Sequence, residues 1–428
     1  MGLVGSIRVP SDKSISHRAL LFSALADGTS RLQDLLPSDD VLCTLAAVRA
    51  LGATCELEEG PHGLSGTVTG WGGALNRGPL ELDCGNSGTT TRLLLGLLAG
   101  LGVDATLSGD ESLSRRPMER VLEPLRLMGA RFQSAGGCLP VHVLGHERAL
   151  AGISYTTKQA SAQVKSAILL AGLCAGGTTS VTEPAASRDH TERLLPAFGA
   201  QVRVQGRTAS VAGGQRLVAH DLSAPGDPSS AAFVAVAAAL CPGSRVRIRQ
   251  VALNPTRTGA LEVLRAMGCG LSYENVHDEG AEPVGDVLVS HTPRLAGVEV
   301  AAGRIPALID EVPVLALAAA AASGETVFHG VGELRVKESD RLQATIEALA
   351  AMGVAAHAEG DDLHVMGRGA AGVPAGGRIA LATHHDHRLA MSYHLAGLAF
   401  GFTPVLDDAA CVSVSWPGFY DDIAALVR

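Results

Sequence analysis

Aromatic side chains make up only 3% of this 428-residue chain, and charged ones only 18%. An interior with so few rings must be packed with Ala, Val and Leu, and a 46% hydrophobic content is ample for that. A basic excess is lacking too. The net charge is -9, which argues against a nucleic-acid partner, whose binders normally carry a basic footprint. It leaves room for small anionic substrates, because a local cluster overrides the global sign in a focused cleft. The eight cysteines are scattered without a C-x-x-C pair, so they read as reduced thiols of an intracellular protein. No apolar run, residues 314–322 included, reaches the ~20 residues that a bilayer crossing needs. A basic-then-apolar leader is also lacking. The opening Met-Gly-Leu-Val-Gly-Ser matches a loose myristoylation pattern, but residues 7–9 already read as a first strand. The expectation is a cytoplasmic protein with no membrane partner, and at this length about two domains.

What the chain does have is a repeat. Six Ala/Leu-rich segments run from a polar start to a glycine stop, among them SHRALLFSALADG, SGTTTRLLLGLLAGLG and SSAAFVAVAAALCPG. Their stops, Gly28, Gly102, Gly177, Gly243, Gly324 and Gly401, are spaced by 74, 75, 66, 81 and 77 residues. That near-constant period marks an internal repeat. A second helix recurs between them and ends at Gly52, Gly129, Gly199, Gly268 and Gly353, each suited to the left-handed position past a helix end. The sixth unit has only the terminal FYDDIAALVR in that place. Short strands such as residues 178–183 and SRVRIRQV separate the helices, so the class is α/β, built from six similar pieces. Helices of the first set are apolar all round and should be buried, with the second set against solvent.

Polar residues collect where the buried helices begin: Asp12-Lys13-Ser14 and Arg18, Asn86-Ser87-Gly88, Ser161 and Gln163, Asp227, Asp310-Glu311, and Asp386-His387-Arg388. Helix N-termini are natural anion sites. Ser, Asp and Asn there are explained by plain capping. Lys13, Arg18 and Arg388 are not, because a cation in the first turn opposes the helix dipole unless an anion is present. In LRVKESDRL, Lys337 and Arg341 would repel at i, i+4 if both lay on one helix. GNSGTT (residues 85–90) looks like a phosphate cradle but lacks the ending of a P-loop. HHDH (residues 384–387) has no second cluster to complete a metal site, and no nucleophile elbow is present. Arg115-Arg116, and Arg188 with Asp189, read as solvated charges.

SDKSISHR, GNSGTTTRLLLGLL, RRPM, SAQVKSAILLA, SRDHTE, GDPSSAAF, IDEVPVLA, RVKESDRL and DHRLAM follow one another along almost the whole chain. Together they resemble the 5-enolpyruvylshikimate-3-phosphate synthases of the shikimate pathway, in spellings similar to the class typified by Gram-positive enzymes. The resemblance implies a two-domain, inside-out α/β barrel of six βαβαββ units, whose buried helices point their N-termini at the interdomain cleft. It implies one domain over residues 12–226, on the shikimate 3-phosphate side. The other, residues 1–11 plus 227–428, would supply the catalytic Asp and the phosphoenolpyruvate-binding Lys and Arg residues.

The implied reaction moves the enolpyruvyl group of phosphoenolpyruvate onto the 5-hydroxyl of 3-phosphoshikimate, without metal or cofactor and in a monomer. By motif match, Lys13, Ser14, Arg18, Ser161, Ala162, Gln163, Ser187, Asp310 and Lys337 would hold 3-phosphoshikimate. Lys13, Gly88, Arg116, Gln163, Lys337, Arg341 and Arg388 would surround phosphoenolpyruvate. Asp310 would accept the hydroxyl proton, with Glu338 and Lys13 candidates for the other transfers; Glu338 acts as an acid only if burial offsets its cationic neighbours.

The chain departs from the enterobacterial pattern at Val414, where a lysine is expected, at His190 for a Tyr, and at Glu333 for an Asn. Gly88 is kept where glyphosate-insensitive members carry Ala. The sister enzyme UDP-N-acetylglucosamine enolpyruvyltransferase would carry a Cys in the loop that reads GDESLSRRP here. A non-catalytic anion-binding scaffold would need the caps and cations but not Asp310 together with Glu338.

Overall fold

A computed structural model describes residues 2–369, 372–373 and 376–428. It divides into two compact units, one of residues 11–224 with 279–282, the other of residues 1–10, 225–278 and 283–428. Each has its own apolar core.

In the first unit the buried helices are Lys13–Leu25, Gly88–Leu101 and Ala162–Cys174. In the second they are Pro228–Leu240, Val312–Ala321 and His387–Phe400. These are the six segments that the repeat predicts. Pro228 to Ala239 and Val312 to Ala320 are buried residue by residue, as a helix with no polar stripe must be. The helices of the second set, such as Asp39–Ala50 and Arg341–Ala351, alternate buried and exposed positions.

All eleven punctuating glycines have positive φ, from 69° at Gly102 to 110° at Gly52. Side chains other than glycine rarely adopt that conformation.

The sheets repeat with the helices. Five are four-stranded and one has two strands, among the described residues. Leu80–Asp83 shows the pattern: it pairs in parallel with Ala105–Ser108, which pairs antiparallel with Cys138–Val143, beside Phe132–Ala135. The parallel pair is bridged by a buried helix, the antiparallel ones by the amphipathic helix and a hairpin. Two strands pair with segments far from them in sequence. Val4–Ile7 pairs in parallel with Arg245–Ala252, and Leu222–Ser223 joins Thr29–Leu35. The first strand thus ends at Ile7, whereas residues 7–9 were expected to form it.

Candidate active site

In the unit of residues 11–224, side chains at the starts of the three buried helices bond to one another. Asp12, Ser87 and Ser161 are the N-caps, accepting from the backbone of Ile15, Thr90 and Val164 at 2.8, 3.1 and 3.5 Å. Gln163 donates to Thr89 Oγ1 at 2.9 Å and accepts from Arg92 Nη1 at 2.6 Å, tying the second helix to the third. Arg116 donates to Asn86 Oδ1 at 2.9 Å in the glycine-rich loop. A Cβ on Gly88 would lie 2.9 Å from Arg92 Nη1 and 3.2 Å from Arg116 Nη1, so the glycine is what lets both guanidinium groups crowd this helix start. Lys13 Nζ is 2.8 Å from Asp40 Oδ2.

Arg18 is the sixth residue of its helix, beyond the reach of the dipole argument, yet it is the most telling cation here. It is buried and donates to Thr191 Oγ1, Ser166 Oγ and the Ser14 carbonyl at 2.7, 2.8 and 3.0 Å. All these acceptors are neutral. Burial lowers its pKa to about 10, against the more distant pull of Glu192 and Asp12. A guanidinium without a hydrogen-bonded acid is suited to an incoming anion.

Ser161 and Ser187 meet at Glu183, which accepts the Ser161 N–H at 2.9 Å and the Ser187 hydroxyl at 2.7 and 2.8 Å. Arg115 is solvated as expected, but Arg116 is buried. His190 is buried too, with Nδ1 2.7 Å from Glu282 Oε1.

In the other unit, Asp310 lies in a short 3-10 turn, Ile309–Glu311, just before the fifth buried helix. Its Oδ1 is 3.2 Å from Lys337 Nζ and 3.2 Å from Arg341 Nη1. Arg341 is gripped on its other edges by Asp386, at 2.7 and 3.1 Å, and by Glu338 at 2.6 Å. Burial disfavours its charge, but Asp386, Glu338 and Asp310 outweigh that and raise its pKa above the ordinary value. Arg388 reaches Glu311 Oε1 at 3.3 Å and the Asp310 carbonyl at 3.4 Å. Asp227 is matched by Arg257 at 2.6 Å.

Lys337 and Arg341 do not share a helical face. Lys337 follows a 3-10 turn in extended conformation, and the helix begins at Arg341 after the Asp340 cap. Arg341 is also not an uncompensated cation, since three carboxylates surround it.

The partners Asp40, Arg92, Glu183 and Glu311's link to Arg388 were not singled out from sequence. Only Asp40 left a local signal, as an acid in the first turn of an amphipathic helix. Among the described residues no group of three or more His, Cys, Asp or Glu is arranged to hold a metal ion.

The model of the EPSP synthase family, 3-phosphoshikimate 1-carboxyvinyltransferase, matches residues 2–423. The chain is 49% identical to the 3-phosphoshikimate 1-carboxyvinyltransferase of Methylobacterium sp. (strain 4-46), covering 99% of this chain and 95% of that one. Identity to the Gloeobacter violaceus protein of the same name is also 49%, over 99% and 96%. The solved EPSP synthase of Acinetobacter baumannii superposes with a TM-score of 0.86 at 43% identity, over 99% of this chain and 96% of that one. The enolpyruvyl transferase NikO of Streptomyces tendae, at 20% identity and TM-score 0.78, shares the fold. The fold is the two-domain enolpyruvyltransferase α/β fold of repeated βαβ-type units, and the chain belongs to the EPSP synthase family.

Proposed function

We propose that this chain transfers the enolpyruvyl group of phosphoenolpyruvate to the 5-hydroxyl of 3-phosphoshikimate, giving 5-enolpyruvylshikimate 3-phosphate and phosphate. The family match over residues 2–423 supports the reaction. Arg18, buried and bonded among the described residues to neutral acceptors, is the observation that carries the anionic acceptor. Residues 12–226 hold 3-phosphoshikimate, with Lys13, Ser14, Arg18, Ser161, Ala162, Gln163 and Ser187 around it. Residues 1–11 plus 227–428 bring Asp310, Lys337, Arg341 and Arg388. Gly88, Arg116, Gln163 and Lys13 complete the contacts to phosphoenolpyruvate.

Asp310 takes the proton of the 5-hydroxyl as the hydroxyl oxygen adds to the phosphate-bearing carbon of phosphoenolpyruvate and the methylene carbon gains a proton. Loss of a proton from the resulting methyl group then expels phosphate and restores the double bond, with Glu338 and Lys13 serving these transfers. Lys337 and Arg341, both 3.2 Å from Asp310, hold that carboxylate in place. Charge stabilisation and positioning account for the catalysis, so the proposal calls for no cofactor. The enzyme acts as a monomer, and its free cysteines accord with a reducing, cytoplasmic setting. Among the described residues, no helix is long and apolar enough to cross a membrane.

On the spellings SAQVKSA and SRDHTE we place it with the class typified by Gram-positive enzymes; a tree rooting it among enterobacterial sequences overturns that. Phosphate release from phosphoenolpyruvate plus 3-phosphoshikimate tests the activity, and no release with that pair refutes it. Release with UDP-N-acetylglucosamine instead would favour the sister reaction. With Gly88 in place, glyphosate should raise the apparent KM for phosphoenolpyruvate; an unchanged KM at millimolar inhibitor removes that reading.

A further inference from the structure

We infer that Glu183 is a positioning residue for the phosphate ester of the acceptor, an inference that rests on the reading above. A carboxylate beside a phosphate site is electrostatically adverse, so its presence calls for a reason. Glu183 is 3% exposed and follows the strand Thr178–Thr182. Its two oxygens take the Ser187 hydroxyl at 2.7 and 2.8 Å, and one takes the Ser161 N–H at 2.9 Å. Those are the residues from two separate loops that face the phosphate in the proposed site.

Its charge is balanced inside the fold. Lys165, one turn into the helix that Ser161 caps, is 2.7 Å from Glu183 and 2.7 Å from Glu192. Glu192 in turn is the acid acting most strongly on Arg18. Lys165 therefore pairs with both acids away from water, and Arg18 remains the cation whose own hydrogen bonds go to neutral groups. Lys165 cancels the repulsion, which leaves Glu183 free to act as a fixed acceptor. It holds the Ser187 oxygen and the helix start of Ser161 at one spacing before the ligand arrives. When phosphate binds, the Ser187 hydroxyl turns from Glu183 to the phosphate, while Glu183 keeps Lys165 and the Ser161 N–H.

The role is specific to one substrate and to one group on it. Glu183→Ala frees both donors, and the KM for 3-phosphoshikimate should rise roughly tenfold or more, as when a charge-assisted hydrogen bond to an anion is misplaced. The KM for phosphoenolpyruvate should stay within about twofold. Glu183→Gln keeps an acceptor oxygen and should recover most of the loss.

Equal rises in both KM values, an unchanged KM in Glu183→Ala, or a Gln variant no better than Ala would each overturn the inference. If the Ala variant does not fold, Glu183→Asp serves. It keeps the charge but withdraws the oxygens by a methylene, so the same selective rise is expected, and its absence is equally decisive. A wild-type protein that releases no phosphate would instead refute the proposed function.

Discussion

Lys337 and Arg341 share Asp310 but differ in what surrounds them. Lys337 is 27% exposed and has one described carboxylate partner, so Lys337→Ala should leave stability within about 1 kcal/mol and weaken phosphoenolpyruvate binding. Arg341 is 1% exposed and faces Asp310, Glu338 and Asp386. Arg341→Ala strands buried carboxylates, and urea denaturation should show a loss of about 3–5 kcal/mol. Calorimetry of phosphoenolpyruvate binding and denaturation of both variants check the pair; a stable Arg341→Ala protein would break the network account.

His17 makes a second residue-scale case. It is buried, with Nδ1 2.7 Å from Thr44 Oγ1, and burial, aided by Lys13 and Arg18, pushes its pKa well below 6.5. As pH falls through 6.5 the unfolded chain takes up a proton at this histidine and the native one does not. Its contribution is thus full above that pH and declines below it. Urea midpoints between about pH 7.5 and 5.5 should fall more in wild type than in His17→Gln.

At the scale of elements, helix Gly88–Leu101 meets helix Ala162–Cys174 almost backbone to backbone. A Cβ at Gly96 would lie 2.1 Å from the Ala167 carbonyl oxygen and 2.7 Å from its Cα. Both obstacles are backbone, so Gly96→Ala must spread the helices, at a cost of about 1–3 kcal/mol or more. Thermal unfolding should show a clear drop in Tm. A variant as stable as wild type would mean that the pair has slack.

The helices themselves were legible because their punctuation is local: a cap, an apolar run and a glycine that needs positive φ. Ion-pair and hydrogen-bond partners were not, since Asp40 lies 27 residues from Lys13, Asp386 lies 45 from Arg341, and Gln163 lies 71 from Arg92. Pairs at such separations leave no periodic trace. The break between Lys337 and Arg341 does have a local signal. Asp340 accepts the Gln343 N–H at 3.0 Å, a capping pattern present in ESDRLQ that places the helix start after Lys337.

For the whole molecule, the two tryptophans fall one to each core, Trp71 among residues 11–224 and Trp416 in the other unit. Trp71→Phe and Trp416→Phe each leave a single reporter of one unit. Since 3-phosphoshikimate is assigned mainly to residues 12–226, saturating ligand should raise the Trp71 midpoint more than the Trp416 midpoint. Coincident midpoints with and without ligand would show one cooperative transition. The pairing of Val4–Ile7 with Arg245–Ala252 also sets a timetable on the ribosome. At roughly 5–20 residues per second, the first strand emerges on the order of tens of seconds before its partner exists. Residues 11–224 are complete in that interval, so the second unit is begun first and closed last, with its opening strand waiting as an unpaired edge that a chaperone has time to meet.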